Sequence, residues 1–302
     1  MTTFAVLAHD DPALLARLCA RLAPHPVIVH IDARRPLAPF RDAVAHLPTV
    51  RLVEQGRVTV NWGGWSQVEA TLRLYREIVG GAPGGDEKDD DEQIVLLSGH
   101  CYPLHHVDEI VARLRTAERP LHVRGVAYTE LEDRSRTRMR HYYDAFPVRQ
   151  TGIRRLLYAA PRKLTQLAAP LFPRRFDGEE LLAVGSQWTV LTVAAVRDTV
   201  LPPAPVWRRR LRRTFAPEET FFPTVVLRGV TAGSTQDGGP SPYAGERTAD
   251  YPNIHLLDRS MTKTFTVDDL PELEESRMLF VRKVDSRASA ELLDALDRRA
   301  GA

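Results

Sequence analysis

Short apolar runs alternate with helical patterns along the first part of the chain. Runs rich in branched residues predict strands at Phe4–Ala8, at Val27–Ile31 and near Val50–Val53. An Asp-Pro pair at 11–12 is typical of a helix start, and a second helical pattern covers 37–47. This βαβαβ order predicts a parallel sheet, because crossover connections of this length join parallel strands.

Gln93–Leu104 contains the strand around which the other patterns are organised. Its part Ile94–Leu97 is continuously apolar, which favours a strand buried on both faces of a sheet. The permissive loop Ser98–Tyr102 follows, and Pro103 leads into a helical pattern over Val107–Leu114. Ligands of open α/β sheets lie beyond the carboxyl ends of such strands, so this loop is the first expected binding loop.

Further short patterns continue to the C-terminus. Leu121–Val123 predicts a strand, and Leu181–Leu191 predicts two strands around a Gly-Ser turn. Strands are also predicted at Asn253–Leu257 and Leu279–Val281, and the amphipathic stretch Ala288–Arg299 predicts a terminal helix.

The composition is that of an ordinary globular protein. The chain has 302 residues, of which 43% are hydrophobic and 26% charged, enough for one large domain. We expect a single α/β domain over residues 1–302, with a nucleotide-binding half at about 1–125 and an acceptor and catalytic half at about 126–302.

Charge, cysteines and missing motifs exclude several classes. A net charge of +2 predicts no strong attraction to nucleic acid or to a membrane. Cys19 and Cys101 are the two cysteines, with neither a disulfide framework nor zinc-ligand spacing. The chain also lacks a membrane-span run, an apolar signal core, a GxGxxG motif and a P-loop. We therefore expect a soluble cytoplasmic protein.

Three segments lack a regular pattern. Gly80–Glu92 is rich in glycine and acids and predicts a solvated surface loop. Tyr128–Arg140 is densely charged and is expected to face solvent or to line an acceptor site. Ile153–Phe176 mixes Arg with Leu and Ala, which suits a membrane-surface helix, but its three prolines favour a segment that covers the active site.

A helix start is predicted after two glycines at 63–64. Ser66 and Glu69 match the capping box, which places the helix start at Ser66. The flanking Trp62 and Trp65 have two interpretations: they pack at the helix entrance, or they hold aromatic faces beside a substrate.

Two features in the C-terminal third of the chain offer candidate catalytic or ligand-binding residues. Glu218 and Glu219 follow Pro217 at a predicted helix start, where the helix dipole stabilises negative charge. They are either simple N-terminal acids or a pair of which one member faces inward. Lys283 follows the last strand, as a surface residue or as a ligand-binding cation. The histidines at 100, 105 and 106 have no evident acid partner, so no metal site is expected.

Seven motifs stand in an order that points to one family. They are the first strand with His9, HID at His30–Asp32, WGGWSQVEATL at Trp62–Leu72, LSGHCYPL at Leu97–Leu104, GSQW at Gly185–Trp188, APEE at Ala216–Glu219 and LFVRK at Leu279–Lys283. Together they resemble the core-2/I-branching β-1,6-N-acetylglucosaminyltransferases and peptide O-xylosyltransferases, glycosyltransferase family fourteen. The resemblance covers about residues 3–298 and is weakest at 124–180 and 229–252.

The resemblance implies a GT-A type fold, with a Rossmann-like, mostly parallel central sheet flanked by helices. It implies inverting transfer of a sugar from a UDP-sugar to an acceptor hydroxyl, forming a β-linkage. Glu219 matches the general base, which takes the proton of the acceptor hydroxyl. Lys283 matches the residue that holds the departing diphosphate, and Arg259 and Lys263 are both candidates for a second cation there.

The same resemblance implies two groups of binding residues. Those expected around the donor are His9, Asp32, Trp65, Ser66, Ser98 and Gly99. Those expected around the acceptor are Gly185, Ser186, Gln187, Trp188 and Glu218. At Cys101 the chain departs from the family, which commonly has an acid at that position.

No metal or other cofactor is expected, because the family's branching enzymes work without a divalent ion and no D-x-D motif stands at a strand end. The expected donor is UDP-GlcNAc or UDP-xylose. The expected acceptor is a carbohydrate, a lipid-linked glycan or a small natural product, with no nucleic acid partner and no stable membrane insertion. The alternative is a non-catalytic module that binds a nucleotide sugar.

Overall fold

The computed structural model describes residues 1–80, 89–132 and 178–301, together with Leu164, Leu167 and Leu171. The expectations for the acidic segment and for the charged stretch after Tyr128 lie partly outside the described residues. Those for Ile153–Phe176 lie almost entirely outside them.

A five-stranded sheet forms the centre of the described structure. Its strands are β1 (Thr2–Ala8), β2 (Val27–Ile31), β3 (Val50–Leu52), β4 (Gln93–Ser98) and β8 (Val190–Thr192). Their spatial order is β3-β2-β1-β4-β8, in which the first four strands are parallel and the last is antiparallel to β4. The predicted parallel βαβαβ unit is thus confirmed.

Two smaller sheets adjoin the central one. In the first, β10 (Phe280–Arg282) pairs antiparallel with β5 (Cys101–Pro103) and parallel with β9 (His255–Leu257). In the second, β6 (Gly125–Ala127) and β7 (Ala183–Gly185) form an antiparallel pair. The three-stranded sheet brings the C-terminal part of the chain next to the end of β4.

Helices cover both faces of the central sheet. They are α1 (Pro12–Leu22), α2 (Ala38–Val44), α3 (Ser66–Val79), α4 (Val107–Arg115), α5 (Val193–Ala195), α6 (Ala204–Leu211), α7 (Glu218–Leu227), α8 (Leu270–Glu275) and α9 (Ala290–Arg299). Among the described helices, none combines the length and the apolar character that a bilayer crossing requires.

Alternation along β1 and β4 separates two apolar clusters. Ala5, Ile94 and Leu96 pack on the side of α3 and α7, whereas Phe4 and Val95 pack on the side of α1 and α4. Every residue of β4 is buried. The prediction of a strand buried on both faces is therefore confirmed, and the apolar surface on each face supplies the main stabilisation of the sheet.

The starts of α1 and α3 were predicted correctly, but the capping mechanism predicted for α3 is wrong. The side chain of Asp11 caps α1 by accepting a hydrogen bond from the Leu14 amide at 3.0 Å. The N-cap of α3 is Trp65 and makes no side-chain capping bond. The Ser66 hydroxyl instead accepts from the Asn61 amide at 2.7 Å, because the glycine turn brings that amide back over the helix start.

Two predicted connections differ from the structure. The expected loop after β4 is a tight turn at Gly99-His100, because β5 finds pairing partners in β10. The strand predicted at Leu121–Val123 is wrong, since that stretch makes only isolated bridges, Leu121 with Thr235 and His122 with Val190.

Candidate active site

Three parallel strands end side by side at one edge of the central sheet. The Asp32 amide, after β2, donates to the carbonyl of Ala8 at 3.0 Å, and the Gly99 amide, after β4, donates to that of Leu7 at 2.8 Å. A Cβ at position 99 would lie 2.9 Å from the Ala8 Cβ, so this close approach needs glycine. We call the side chains and backbone at His9, Asp32, Ser98 and Gly99 the sheet edge, and the structure brings these four predicted donor residues together.

Asp32 is the buried carboxylate of the sheet edge. It accepts hydrogen bonds from the Arg34 amide at 2.9 Å and from the Arg34 guanidinium at 3.1 and 2.7 Å. Burial alone would raise the pKa of Asp32, but these bonds and the Arg34 charge outweigh burial and hold the pKa below its ordinary value. Asp32 therefore offers acceptor oxygens that stay ionised at neutral pH.

The turn after β4 is tied to the strand end that carries Lys283. The His100 amide donates to the Ser98 hydroxyl at 3.0 Å. The two ring nitrogens of His100 lie 2.9 Å from the Val284 carbonyl oxygen and 2.8 Å from Asp10 Oδ1. Both of these oxygens only accept, and the bond to Asp10 raises the pKa of His100 above its ordinary value.

The Gly63-Gly64 loop positions the start of α7. The Ala216 amide donates to the Gly63 carbonyl at 2.9 Å, and both residues have positive φ, 48° and 71°. Trp65 is buried, with its ring 5.5 Å from that of Phe221 on α7. Trp62 remains 61% exposed. Of the two interpretations, packing therefore applies to Trp65, whereas Trp62, whose ring lies 5.3 Å from that of Phe215, keeps much of its surface exposed.

Glu218 and Glu219 begin α7 and occupy different environments. Glu218 is 4% exposed, and its Oε2 has no hydrogen-bond partner among the described residues. Burial, with a smaller contribution from the charge of Glu219, raises the pKa of Glu218 to about 8. Glu219 is half-buried, and its Oε1 lies 3.5 Å from the Thr248 hydroxyl, which donates to it. The inward-facing member of the pair is Glu218.

A half-buried arginine lies near this acid pair. The Arg282 guanidinium lies 4.9 Å from the centre of the Trp188 ring, and its buried Nε has no hydrogen-bond partner in the described part of the chain. Burial lowers the pKa of Arg282, while its electrostatic interactions with Cys101 and with the carboxylate of Glu219 oppose that shift. Arg282 thus lies within electrostatic range of the predicted base.

His255 lies near both Trp188 and Arg282. Its ring lies 6.1 Å from that of Trp188, and neither ring nitrogen has a hydrogen-bond partner among the residues described. Burial, and then the Arg282 charge, lower the pKa of His255 to about 3, so the ring is neutral. We call Trp188, Glu218, Glu219, His255 and Arg282 the acid–arginine cluster.

The predicted acceptor segment at 185–188 enters this cluster. Ser186 and Gln187 are buried, and the Asn253 side-chain amide donates to the carbonyls of Ser186 at 3.4 Å and of Trp188 at 3.0 Å. The Gln187 Oε1 has no partner in the described structure. Gly185 ends β7, where the opposing backbone of β6 leaves no room for a side chain.

The three predicted diphosphate cations lie in different surroundings. Lys283 is half-buried next to Arg282, and its carbonyl accepts from the Phe265 amide at 2.9 Å. Lys263 pairs with Asp269 at 2.6 Å, and Arg259 pairs with Asp250 at 2.7 Å. Both candidates for the second cation therefore have an acid partner, and the choice between them stays open.

Sequence reasoning missed Arg282, His255 and Thr248. A signal for Arg282 was present, because strand alternation places it on the same face as Phe280, a fully buried residue. A charged residue at an inward position of a short strand predicts a functional site. His255 and Thr248 carry no such signal, since only the tertiary fold brings His255 near Arg282 and Thr248 to Glu219.

Metal ligation was not expected, but one group of side chains has suitable ligand atoms. His9, Asp10 and His100 offer one atom each, and these atoms lie within 4.8 Å of one another. Cys101, in contrast, is fully buried, and burial raises the pKa of its thiol to about 11. Its Sγ accepts from the Ser98 amide at 3.3 Å, so it fills a structural position.

A family model described as Core-2/I-Branching enzyme matches residues 3–236 of the chain. No curated protein matches the sequence. The matched range includes the sheet edge and both acids of α7, whereas Arg259, Lys263 and Lys283 lie beyond it.

Proposed function

The chain belongs to the Core-2/I-Branching enzyme family, and we propose its function from that assignment. It is therefore a glycosyltransferase with a GT-A fold, which acts on a nucleotide-sugar donor and an acceptor. Within that class, we infer inverting transfer from a UDP-sugar, UDP-GlcNAc or UDP-xylose, to an acceptor hydroxyl, with a β-linkage formed and no metal required.

One observation carries this proposal: a half-buried carboxylate and half-buried positive charge meet in one cluster, although they are far apart in sequence. Glu219 lies within electrostatic range of Arg282, and Lys283 follows directly. Inverting transfer is an in-line displacement, which needs a base on the acceptor side and positive charge on the leaving diphosphate.

Glu219 is assigned as the general base. Glu218 keeps its proton up to about pH 8, so it does not accept a proton readily at neutral pH. Glu219 is the more accessible of the two acids and receives a hydrogen bond from Thr248. Two neighbouring acids with different environments support separate roles for them.

Lys283 and Arg282 are assigned to the departing diphosphate. Positive charge in a partly buried site stabilises developing negative charge more strongly than it does in water. The guanidinium of Arg282 is already held over Trp188, so it needs little reorganisation during the reaction. Arg259 or Lys263 supplies a further cation from the surrounding loop.

The sheet edge is assigned to the nucleoside part of the donor. Asp32 presents ionised acceptor oxygens for N–H or O–H groups of the donor, and the backbone at Ser98 and Gly99 forms the bottom of the pocket. Trp65 and Ser66 support this pocket from behind through the packing and hydrogen bond described above, and His9 lies at its rim.

The acceptor is assigned to the side lined by Gln187, Trp188 and Glu218. The Gln187 Oε1 and Glu218 Oε2 lack protein partners in the described structure, so they suit the hydroxyl groups of a sugar. A protonated Glu218 donates as well as accepts. We propose a carbohydrate, a lipid-linked glycan or a small natural product as acceptor.

A donor panel and a base variant test this function. Thermal shift with UDP-GlcNAc, UDP-xylose and free UDP identifies the donor, because a ligand that binds the folded state raises Tm. UDP release in the presence of acceptor sugars then measures transfer. We expect UDP release by the unchanged chain and almost none by Glu219→Gln, with the exposed acid variant Glu275→Gln as the matched control. Donor binding without UDP release by the unchanged chain would instead favour a non-catalytic nucleotide-sugar-binding module.

A further inference from the structure

Three potential metal ligands meet where β1 and β4 end. His9 and Asp10 directly follow β1, and His100 lies in the turn between β4 and β5. The ring nitrogen Nε2 of His9 lies 3.3 Å from Asp10 Oδ2, and Nε2 of His100 lies 2.8 Å from Asp10 Oδ1. The two rings are 5.7 Å apart and meet edge to face.

These separations fit ligands that share one ion. A tetrahedral zinc site with ligand bonds of about 2.0–2.2 Å places neighbouring ligand atoms roughly 3.3–3.6 Å apart. His9 meets Oδ2 of Asp10 and His100 meets Oδ1. With one ligand atom from each residue, the three atoms lie within 4.8 Å of one another, so they need to approach by at most about 1.5 Å to share one ion. Both histidines present Nε2, and the exposed side chains of His9 and Asp10 are the ones that rotate towards the fixed ring of His100.

His100 also has the outer contact that is typical of a metal-binding histidine. Its other nitrogen, Nδ1, lies 2.9 Å from the Val284 carbonyl oxygen, to which it donates. Metal-ligating histidines commonly donate from the second nitrogen to a carbonyl or carboxylate, which fixes the ring and leaves Nε2 for the ion. An ion between Nε2 and Asp10 takes the place of the hydrogen that now joins them.

We propose that His9, Asp10 and His100 form a binding site for one divalent transition-metal ion of the zinc type. Imidazole nitrogen is a good ligand for zinc, cobalt and nickel, whereas magnesium and calcium prefer oxygen ligands. Three protein ligands leave a coordination position open, and the exposed side of His9 and Asp10 supplies the access.

The ion has no part in the transfer chemistry proposed above. Other residues serve as the general base and as the diphosphate cations, and the site is proposed only to bind the metal ion. Because His9 is part of the sheet edge, an ion bound at this site places positive charge beside the donor pocket. The test reads metal binding directly, so its failure leaves the proposed transfer function unaffected.

Equilibrium dialysis of the metal-stripped, tag-free chain against Zn²⁺, with Co²⁺ absorption as the second readout, tests the site. We expect one ion per chain with micromolar or tighter affinity. Asp10→Asn, which keeps the side-chain shape, and His100→Ala should each weaken binding at least tenfold, the scale on which even outer contacts of a metal site act. The control His46→Ala removes an exposed histidine after α2 and should leave affinity unchanged.

Circular dichroism confirms that each variant is folded before dialysis. If the unchanged chain binds Zn²⁺ only above about 100 μM, or if folded Asp10→Asn binds as tightly as the unchanged chain, the proposed site is wrong. A d–d absorption of bound Co²⁺ that is lost in His100→Ala supports it, and the same spectrum in that variant overturns it.

Discussion

The sheet edge and the acid–arginine cluster differ in how their buried polar groups are satisfied. At the sheet edge, Asp32 accepts three bonds from Arg34, and the backbone at Gly99 is bonded to β1. In the cluster, buried atoms of Glu218, His255 and Arg282 have no hydrogen-bond partner among the described residues.

This difference supports the proposed division into a region that binds the donor and a region that carries out the reaction. A buried polar atom without a partner costs about 1–3 kcal/mol, so several of them in one place indicate groups that await a ligand or ordered water. Buried polar groups that have hydrogen-bond partners avoid this cost and keep a fixed geometry. We infer that the sheet edge contributes mainly to donor affinity and that the acid–arginine cluster contributes mainly to the chemical step.

The largest expected effect is on the chemical step. Glu219→Gln removes the proton acceptor while it keeps the size of the side chain, and kcat should fall roughly 10²–10⁴-fold, the usual contribution of a general base. Initial rates of UDP release at saturating donor measure this change. The control Glu275→Gln should retain the full rate, and an unimpaired Glu219→Gln would remove Glu219 from the mechanism.

The next effect separates the three candidate cations. Lys283→Ala should lower kcat/KM about 10–100-fold, because it removes positive charge from the leaving diphosphate. Comparison of Arg259→Ala with Lys263→Ala identifies the second cation, since only one of them should follow Lys283→Ala. Equal and small losses in all three variants would place the diphosphate elsewhere.

A smaller effect is expected at the sheet edge. Asp32→Asn keeps the shape but removes the ionised acceptor, so KM for the donor should rise about tenfold with kcat little changed. Steady-state kinetics with varied donor concentration separate the two parameters. A fall in kcat as large as that of Glu219→Gln would break the division between the two regions.

The pH dependence of stability tests the buried state of Glu218. Its pKa in the folded protein, about 8, lies above the ordinary value of 4.5, so between these values the unfolded chain loses a proton that the folded chain keeps. Stability should therefore fall as pH rises from about 4.5 to 8 and level off above that. In Glu218→Gln, the fall in Tm between pH 4.5 and 8, measured by calorimetry, should be smaller by several degrees than in the unchanged chain. The reason is that ~1 kcal/mol shifts Tm by about 2–4 °C in proteins of 150–250 residues. An unchanged slope would mean that Glu218 is ionised in the folded state.

The smallest expected effect is that of metal removal. Because side-chain cations are assigned to the diphosphate, transfer should continue at an unchanged rate in EDTA, even though the His9–Asp10–His100 group binds zinc. Rates of the metal-stripped chain with and without added Mn²⁺ and Zn²⁺ measure this. Activity that is lost on stripping and restored by an ion would overturn the metal-independent mechanism.

The sequence predicted the central strands better than the site. Apolar runs such as Val27–Ile31 coincide with the observed strand, because a strand buried on both faces leaves a continuous signal. Short strands such as Cys101–Pro103 were missed, since their pairing depends on β10, which lies far away in sequence.

The chemistry of single residues was predictable only in part. The helix start at Glu218 and Glu219 followed from Pro217, but nothing local tells which acid is buried. The Cα pairing of Arg282 with Cys101 and the approach of Thr248 to Glu219 are tertiary contacts without a periodic signature. The metal-type group was missed for the same reason, because Asp10 and His100 meet only in the folded sheet.

The central claim is that Glu219 acts on the chemical step and not on donor binding. Calorimetric titration of the best UDP-sugar into Glu219→Gln, next to the unchanged chain, tests it most directly. We predict a donor Kd within about threefold of the unchanged chain, because the donor is held by the sheet edge and the cations. A Kd weakened tenfold or more in folded Glu219→Gln would contradict the division of roles between the two regions.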